Sequence, residues 1–314
     1  MNPKTHITFS GLFRLYTSAL LLALLSSCGQ SQDAQSDAPA GEPEELSLKK
    51  LVIALKANKN PASMLAEKED LENYLTEKLN REVEVIIPTD SGVVVESFRN
   101  GTLDLGYLSS TDAARNVSQD TAGILLVHLK NGKPHYQSIW LSKKDKPYQS
   151  ITELKNKPVA FASRSSTSGF LIPTWDLVQQ GLVGPEIALT DYFSQTIYGN
   201  GYVSAVEKVL SGEVEAAAVS DYVYKGDNKY LSDAQKAQLK IVQEQGPVPA
   251  HTLCVRASIS ESDKKFLQDT LLEMNQENAE LRDRIFNGEL VTVDEDEHLK
   301  VTREALAVQK TLKP

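Results

Sequence analysis

Cysteine, tryptophan, methionine and histidine are all scarce in this chain: two Cys, two Trp, three Met and five His in 314 residues. Two cysteines cannot build a disulfide-stapled scaffold, and they lack the paired spacing of a structural zinc site. No HExxH segment is present, and His6, His128, His135, His251 and His298 are scattered without local partners, so no metal and no cofactor are expected. Long hydrophobic runs are missing too. Leu20 to Leu25 is far shorter than the roughly 18 apolar residues that span a bilayer. Positive charge is in deficit, 33 Lys plus Arg against 42 Asp plus Glu, with no basic stripe, which argues against nucleic acid as a partner. There is no Gly-x-Ser-x-Gly elbow and no internal repeat. Gly199-Asn200-Gly201 is too short for a nucleotide loop and reads as a turn.

What is present begins with an export signal. Lys4 and Arg14 precede the Leu20 to Leu25 core, no acidic residue occurs before position 28, and the run ends in Leu25-Ser26-Ser27-Cys28. A basic start and a short apolar core are the marks of a secretory signal. The last four residues resemble the bacterial lipobox: an aliphatic residue, two small ones, then the cysteine whose thiolate takes the lipid. Residues 1–27 are therefore expected to be removed and Cys28 to be lipidated, anchoring the chain to the periplasmic or extracellular face of a bacterial membrane. Two or three acyl chains, at about 0.8 kcal/mol per buried methylene, make such an anchor stable. Gly29 to Ser47 is Gln, Ser, Asp, Ala, Pro, Gly and Glu with almost nothing apolar. Together with Cys28 it reads as a flexible lipidated tether, 28–47.

From Leu48 onward, strand-like and helical segments alternate. Leu51 to Leu55, Val83 to Ile87, Leu103 to Leu108, Val159 to Ala162 and Glu215 to Val219 read as short buried strands. Helical spacing follows Asn60-Pro61 and recurs near Val93 to Arg99, Gly169 to Gln180 and Val203 to Ser211. C-terminal helices are expected at about Glu261 to Glu280 and Lys300 to Thr311. Such alternation predicts an α/β protein with open sheets. Crossings near Tyr136 to Ser142 and Gln243 to Val255 divide it into two lobes around a cleft, 48–138 plus 248–314 and 139–247. Cys254, inside Leu253-Cys254-Val255, reads as an inert buried thiol.

Ala162-Ser163-Arg164-Ser165-Ser166-Thr167-Ser168-Gly169 lies between a predicted strand and a predicted helix. N-capping needs only one hydroxyl. Four in succession at a helix start, with Gly169 letting backbone come close, suit an anion. A nucleophilic serine is the enzymatic reading, and neither the surrounding residues nor the histidines support it, so no catalytic residue is assigned.

Ser166-Thr167-Ser168-Gly169-Phe170-Leu171-Ile172-Pro173 resembles the signature of the phosphonate, phosphite and phosphate binding proteins of ABC importers. Ile87-Pro88-Thr89-Asp90, Asn100 to Gly106, Tyr136-Gln137-Ser138-Ile139, Val209 to Val219 and Gly246-Pro247-Val248-Pro249 follow in the family's order. The resemblance implies a two-lobed periplasmic-binding-protein fold of type II that closes over a small oxyanion and delivers it to an ABC permease, as a monomer. It implies that Ser166, Thr167, Ser168 and Gly169 hold the tetrahedral head group, and that Tyr136 reaches the same oxygens from the other lobe. Asp221 lies where some members carry an acid for an amino group on the ligand, or it caps a helix. Ser91 stands where members often have tyrosine, and Gly201 where they often have histidine, with Tyr202 beside it; His251 is the substitute donor. A sensor subunit for a membrane histidine kinase is the alternative function, followed by an enzyme on the same fold.

Overall fold

The computed structural model describes residues 45–56, 61–88, 91–227 and 230–313. The expected signal, Cys28 and the tether as far as position 44 lie outside the described residues, and the end of the expected tether is part of the fold instead, since Leu46 is buried in the core and Ser47 N–H bonds Asp263 at 2.8 Å. Eleven strands occur among those described: β1 (Lys50–Ala54), β2 (Glu82–Ile86), β3 (Leu105–Leu108), β4 (Ala122–His128), β5 (His135–Lys143), β6 (Pro158–Phe161), β7 (Gln195–Tyr198), β8 (Ala216–Ser220), β9 (Leu239–Pro249), β10 (Thr252–Arg256) and β11 (Leu290–Val291). They make two sheets, ordered β11-β4-β10-β3-β1-β2 and β7-β6-β8-β5-β9.

Both sheets follow from period-two burial. In β1, Leu51 and Ile53 face one core with Leu71, Leu75 and Leu79 of the helix Pro61–Leu79, while Ala54 faces another with Phe98, Leu103 and Leu299. The second sheet repeats the device. Ile139, Leu141, Ala160, Ala217 and Val219 point to one side, and Trp140, Val159, Phe161, Ala216 and Ala218 to the other. Apolar runs such as Leu51 to Leu55 are thus covered on both faces by helices. Each large side chain so buried contributes about 1.5–3 kcal/mol.

Neither sheet is purely parallel. β1 pairs in parallel with β2 and β3, but β10 inserts antiparallel between β3 and β4. β5 runs antiparallel to both β8 and β9. The expected lobe divisions at 138/139 and 247/248 fall inside β5 and β9. Tyr136 already lies opposite Val248, and Ser138 opposite Ser220 and Gln245, so the chain cannot change sheets in mid-strand. It crosses at 129–134 and again at Ala250-His251. The helix Glu295–Gln309 is shared rather than held by one lobe: Leu299 packs in a first-sheet core and Ala305 in a second-sheet core.

The serine-rich segment has a local geometry of its own. Thr167–Leu171 is a π-helical turn leading into the α-helix Ile172–Gln179. Pro173 has no N–H to offer the Gly169 carbonyl, which instead accepts from Ala162 N–H at 3.0 Å. A Cβ on Gly169 would lie 2.4 Å from Ala162 Cβ. Only glycine lets this turn fold against the end of β6.

Candidate functional site

The carboxyl ends of the strands in the two sheets face each other across a cavity of about 380 Å³. That is where open α/β sheets hold ligands. From the first sheet come Ala54, Leu55 and Lys56 after β1, Pro88 after β2, Tyr107 and Leu108 of β3, and Asp112. Opposite them are Ser163, Ser165 and Ser166 after β6, the turn Gly199-Asn200-Gly201 after β7, and Tyr202, which begins the helix Tyr202–Ser211. Hydroxyls crowd the second side, whereas the N–H groups of Gly199, Asn200 and Gly201 are already given to the Phe161 carbonyl, Ser204 Oγ and the Ala162 carbonyl. The first side is largely apolar apart from Lys56 and Asp112.

The three consecutive hydroxyls have separate surroundings. Ser166 lines the cavity, and its oxygen accepts Gly169 N–H at 2.9 Å as a helix cap. The Thr167 hydroxyl is turned toward the first lobe. It accepts from Thr111 N–H (3.0 Å) and Ser110 Oγ (3.1 Å) and shares a hydrogen bond with Thr111 Oγ1 (2.8 Å). Ser168 points into the second lobe, where Tyr136 (3.4 Å), Tyr202 (3.0 Å) and Ser220 (2.7 Å) surround its oxygen. One stretch of sequence therefore supplies a cavity wall, a contact between lobes and an internal brace.

Ser109, Ser110, Thr111 and Asp112 form the start of the helix Ser110–Val117 and were not picked out by sequence reasoning. Ser109 caps the helix, accepting from Asp112 N–H, and its hydroxyl reaches both the Asp112 carboxylate (2.8 Å) and the Ser165 carbonyl (3.1 Å). The Ser-x-x-Asp spacing directly after the apolar strand Leu105–Leu108 is a capping signal that could have located this helix. Lys56 was also missed. Its ammonium lies 3.1 Å from Asp112 Oδ2, and its signal was position: it is the charged residue that ends the β1 apolar run.

The other expected residues divide clearly. Tyr136 is on β5, in the same sheet as the serine-rich turn, and approaches Ser168 from within that lobe and not from the opposite one. His251 does not line the cavity. It is buried, stacked parallel to Tyr136 at 6.3 Å and packed on Tyr107 at 5.5 Å and His128 at 5.7 Å. Burial first, then the Lys56 charge, pushes it down to about 3. It is neutral at physiological pH. His128 is held far below the ordinary histidine range for the same leading reason, and Tyr107 donates or accepts at its Nδ1, 2.8 Å away.

Asp221 is the first residue of the short helix Asp221–Lys225, which Ser220 precedes as cap; it does not line the cavity. Half-buried, it has its carboxyl raised by burial. Ser91 opens the helix Ser91–Arg99, and its side chain lies outside the described residues. Tyr202, in contrast, both lines the cavity and bonds Ser168. It is the aromatic donor nearest to the place where Gly201 leaves none. Cys254 is buried beside the Thr252 hydroxyl, its thiol pushed up to about 12 by burial, which leaves it unreactive.

Residues 53–298 match the family model described as the periplasmic substrate-binding protein of phosphonate ABC transporters. The phosphate-import protein PhnD of Mycolicibacterium smegmatis is 28% identical over 236 residues, covering 73% of this chain and 72% of that one. The structure of PhnD1 from Prochlorococcus marinus in complex with methylphosphonate superposes with a TM-score of 0.72 at 18% identity, over 84% of this chain and 99% of that one. A binding protein component of an ABC phosphonate transporter from Pseudomonas aeruginosa gives 0.70 at 16% identity, over 83% and 87%. The two structures share the two-sheet fold.

Proposed function

We propose, from the premise that this chain belongs to the periplasmic substrate-binding proteins of phosphonate ABC transporters, that its cavity captures a phosphonate, phosphite or phosphate head group for delivery to the cognate permease. The observation that carries this reading is the cavity's second wall. Ser163, Ser165 and Ser166 place three hydroxyls beyond the end of β6, and Tyr202 adds its phenol beyond the end of the adjacent parallel strand β7. A tetrahedral oxyanion needs donors converging from several directions, since each unsatisfied buried oxygen is costly.

In this reading the ligand joins the two walls and favours the closed arrangement, which the permease reads. Thr167 belongs to closure, since its hydroxyl is already bonded to Ser110 and Thr111 across the cleft. Ser168 and Tyr136 brace the turn from behind. Asp221 and His251 play no direct part. Cys28, lipidated, and residues 29–44 as a tether would keep the binding domain close to its membrane partner at high effective concentration. Among the described residues no helix is long and apolar enough to cross a membrane.

A thermal-shift screen of the full chain in detergent tests the ligand class. Methylphosphonate, phosphite and phosphate are set beside methanesulfonate and neutral solutes, and the true ligand stabilises by about RT ln(1 + [L]/Kd). A shift from a neutral solute alone, with none from any phosphorus oxyanion, contradicts the reading.

A further inference from the structure

We infer that Lys56 is the first-lobe charge partner of the bound anion, held in place by Asp112. The inference rests on the ligand reading above and names the residue that completes it. The hydroxyls of the second lobe are neutral donors, and a dianion taken into a cavity also needs opposite charge. Among the described residues lining the cavity, Lys56 carries the only positive charge. It stands at the carboxyl end of β1, across the cavity from Ser163, Ser165 and Ser166. An anion between them would be held by both lobes at once.

The surroundings of Lys56 support this assignment. Asp112 is 4% exposed in its side chain and Lys56 only 20%, with their charged atoms 3.1 Å apart. A nearly buried ion pair gains little stability, because desolvation offsets the attraction. The pair is better explained by what its ammonium can do. One of its three N–H donors meets Asp112, and the carboxylate is itself fixed by the Ser109 hydroxyl at 2.8 Å. The ammonium is thus oriented before any ligand arrives. Asp112 lines the cavity too and offsets part of the Lys56 charge, but its other oxygen lies 3.5 Å from Arg115, so the carboxylate is shared between two cations. His251 and Tyr107 add no charge, being buried as a neutral ring and a phenol held far above its ordinary range.

Calorimetric titration of the full chain in detergent with methylphosphonate and with inorganic phosphate tests the inference, comparing wild type, Lys56→Gln and Lys56→Arg. Losing a charged hydrogen-bond partner is expected to weaken binding by about 10-fold to 100-fold in Lys56→Gln, with Lys56→Arg retaining most of the affinity. Wild-type affinity should also fall as salt rises, and the Lys56→Gln value should fall less. Wild-type binding with an unchanged Lys56→Gln affinity overturns this inference alone. Absence of wild-type binding overturns the ligand reading and this inference with it.

A second measurement does not depend on the glutamine variant folding. In the reductively methylated wild-type chain, the Lys56 methyl signal, identified by its loss in Lys56→Arg, should move when methylphosphonate binds. A signal that stays in place while binding proceeds overturns the assignment.

Discussion

Thr167→Val removes one hydroxyl and keeps the side-chain shape, and the structure says where the cost falls. Thr111 lies in the first turn of its helix, so its N–H has no intrahelical acceptor and depends on Thr167 Oγ1 at 3.0 Å. Ser110 is less dependent, because its hydroxyl also reaches the Pro249 carbonyl at 3.2 Å. Valine would leave the Thr111 N–H buried without a partner, a loss of about 2 kcal/mol. Water restores the bond once the lobes part, so the penalty applies to the closed form only. The ratio of closed to open molecules should fall about 30-fold. A ligand that binds the closed form then loses affinity by up to the same factor. Small-angle scattering of the unliganded chain should report a larger radius of gyration in Thr167→Val than in wild type, and calorimetry should report the weaker binding. Unchanged scattering with unchanged affinity refutes the closure role. Weaker binding without any change in scattering would instead return Thr167 to direct contact with the head group.

Histidine burial gives a pH dependence of fixed sign. His251 is held down to about 3 in the folded chain, while an unfolded histidine titrates near 6.5, so between those values only the unfolded chain takes up the proton and stability falls with pH. Stability from this source is complete above about pH 6.5, and by pH 5 about 2 kcal/mol of it should be gone for His251. His128 and His298, both lowered chiefly by burial, act in the same direction. Urea unfolding at pH 7.5 and pH 5.0 should show the loss, and equal stabilities would refute it. Gly169→Ala would place a Cβ 2.4 Å from Ala162 Cβ and 3.2 Å from the Ala218 carbonyl oxygen. Overpacking there should destabilise the chain by about 1–3 kcal/mol, and a variant as stable as wild type in urea would show that the turn can yield.

Burial pattern made much of this fold readable in the sequence. Leu51 to Leu55 and Val159 to Ala162 announced strands because both faces are covered, and Asn60-Pro61 marked the entry to Pro61–Leu79. Ala122–His128 was missed, although it is as apolar as β1 and pairs with β10 and β11. β9 escaped because its long antiparallel course alternates lysine, glutamine and glutamate with apolar residues and ends in prolines. Glu261 to Glu280 reads as one helix, yet Asn278 leaves helical geometry and caps a second, Ala279–Phe286. The last helix begins earlier than its apolar spacing suggests, since Asp294 caps it and Glu295, Asp296 and Glu297 suit its positive end.

The site was legible as a segment and not as a set of roles. Four adjacent hydroxyls located the turn, but their directions depend on which lobe meets each one. That is decided by Ser110 and Thr111 for Thr167, and by Tyr202 and Ser220 for Ser168. His251 sat at a plausible position in sequence. Only the packing of Tyr107, His128 and Tyr136 around it shows that it is a buried ring.

Of Ser166, Thr167 and Ser168, only Ser166 lines the cavity, so titration of the full chain and its Ser166→Ala variant with methylphosphonate decides whether this wall binds the head group. One-to-one binding by the wild type, weakened by the loss of that hydroxyl, is the result predicted. Binding that is undiminished in Ser166→Ala, or no binding by the wild type to methylphosphonate, phosphite or phosphate, would contradict it.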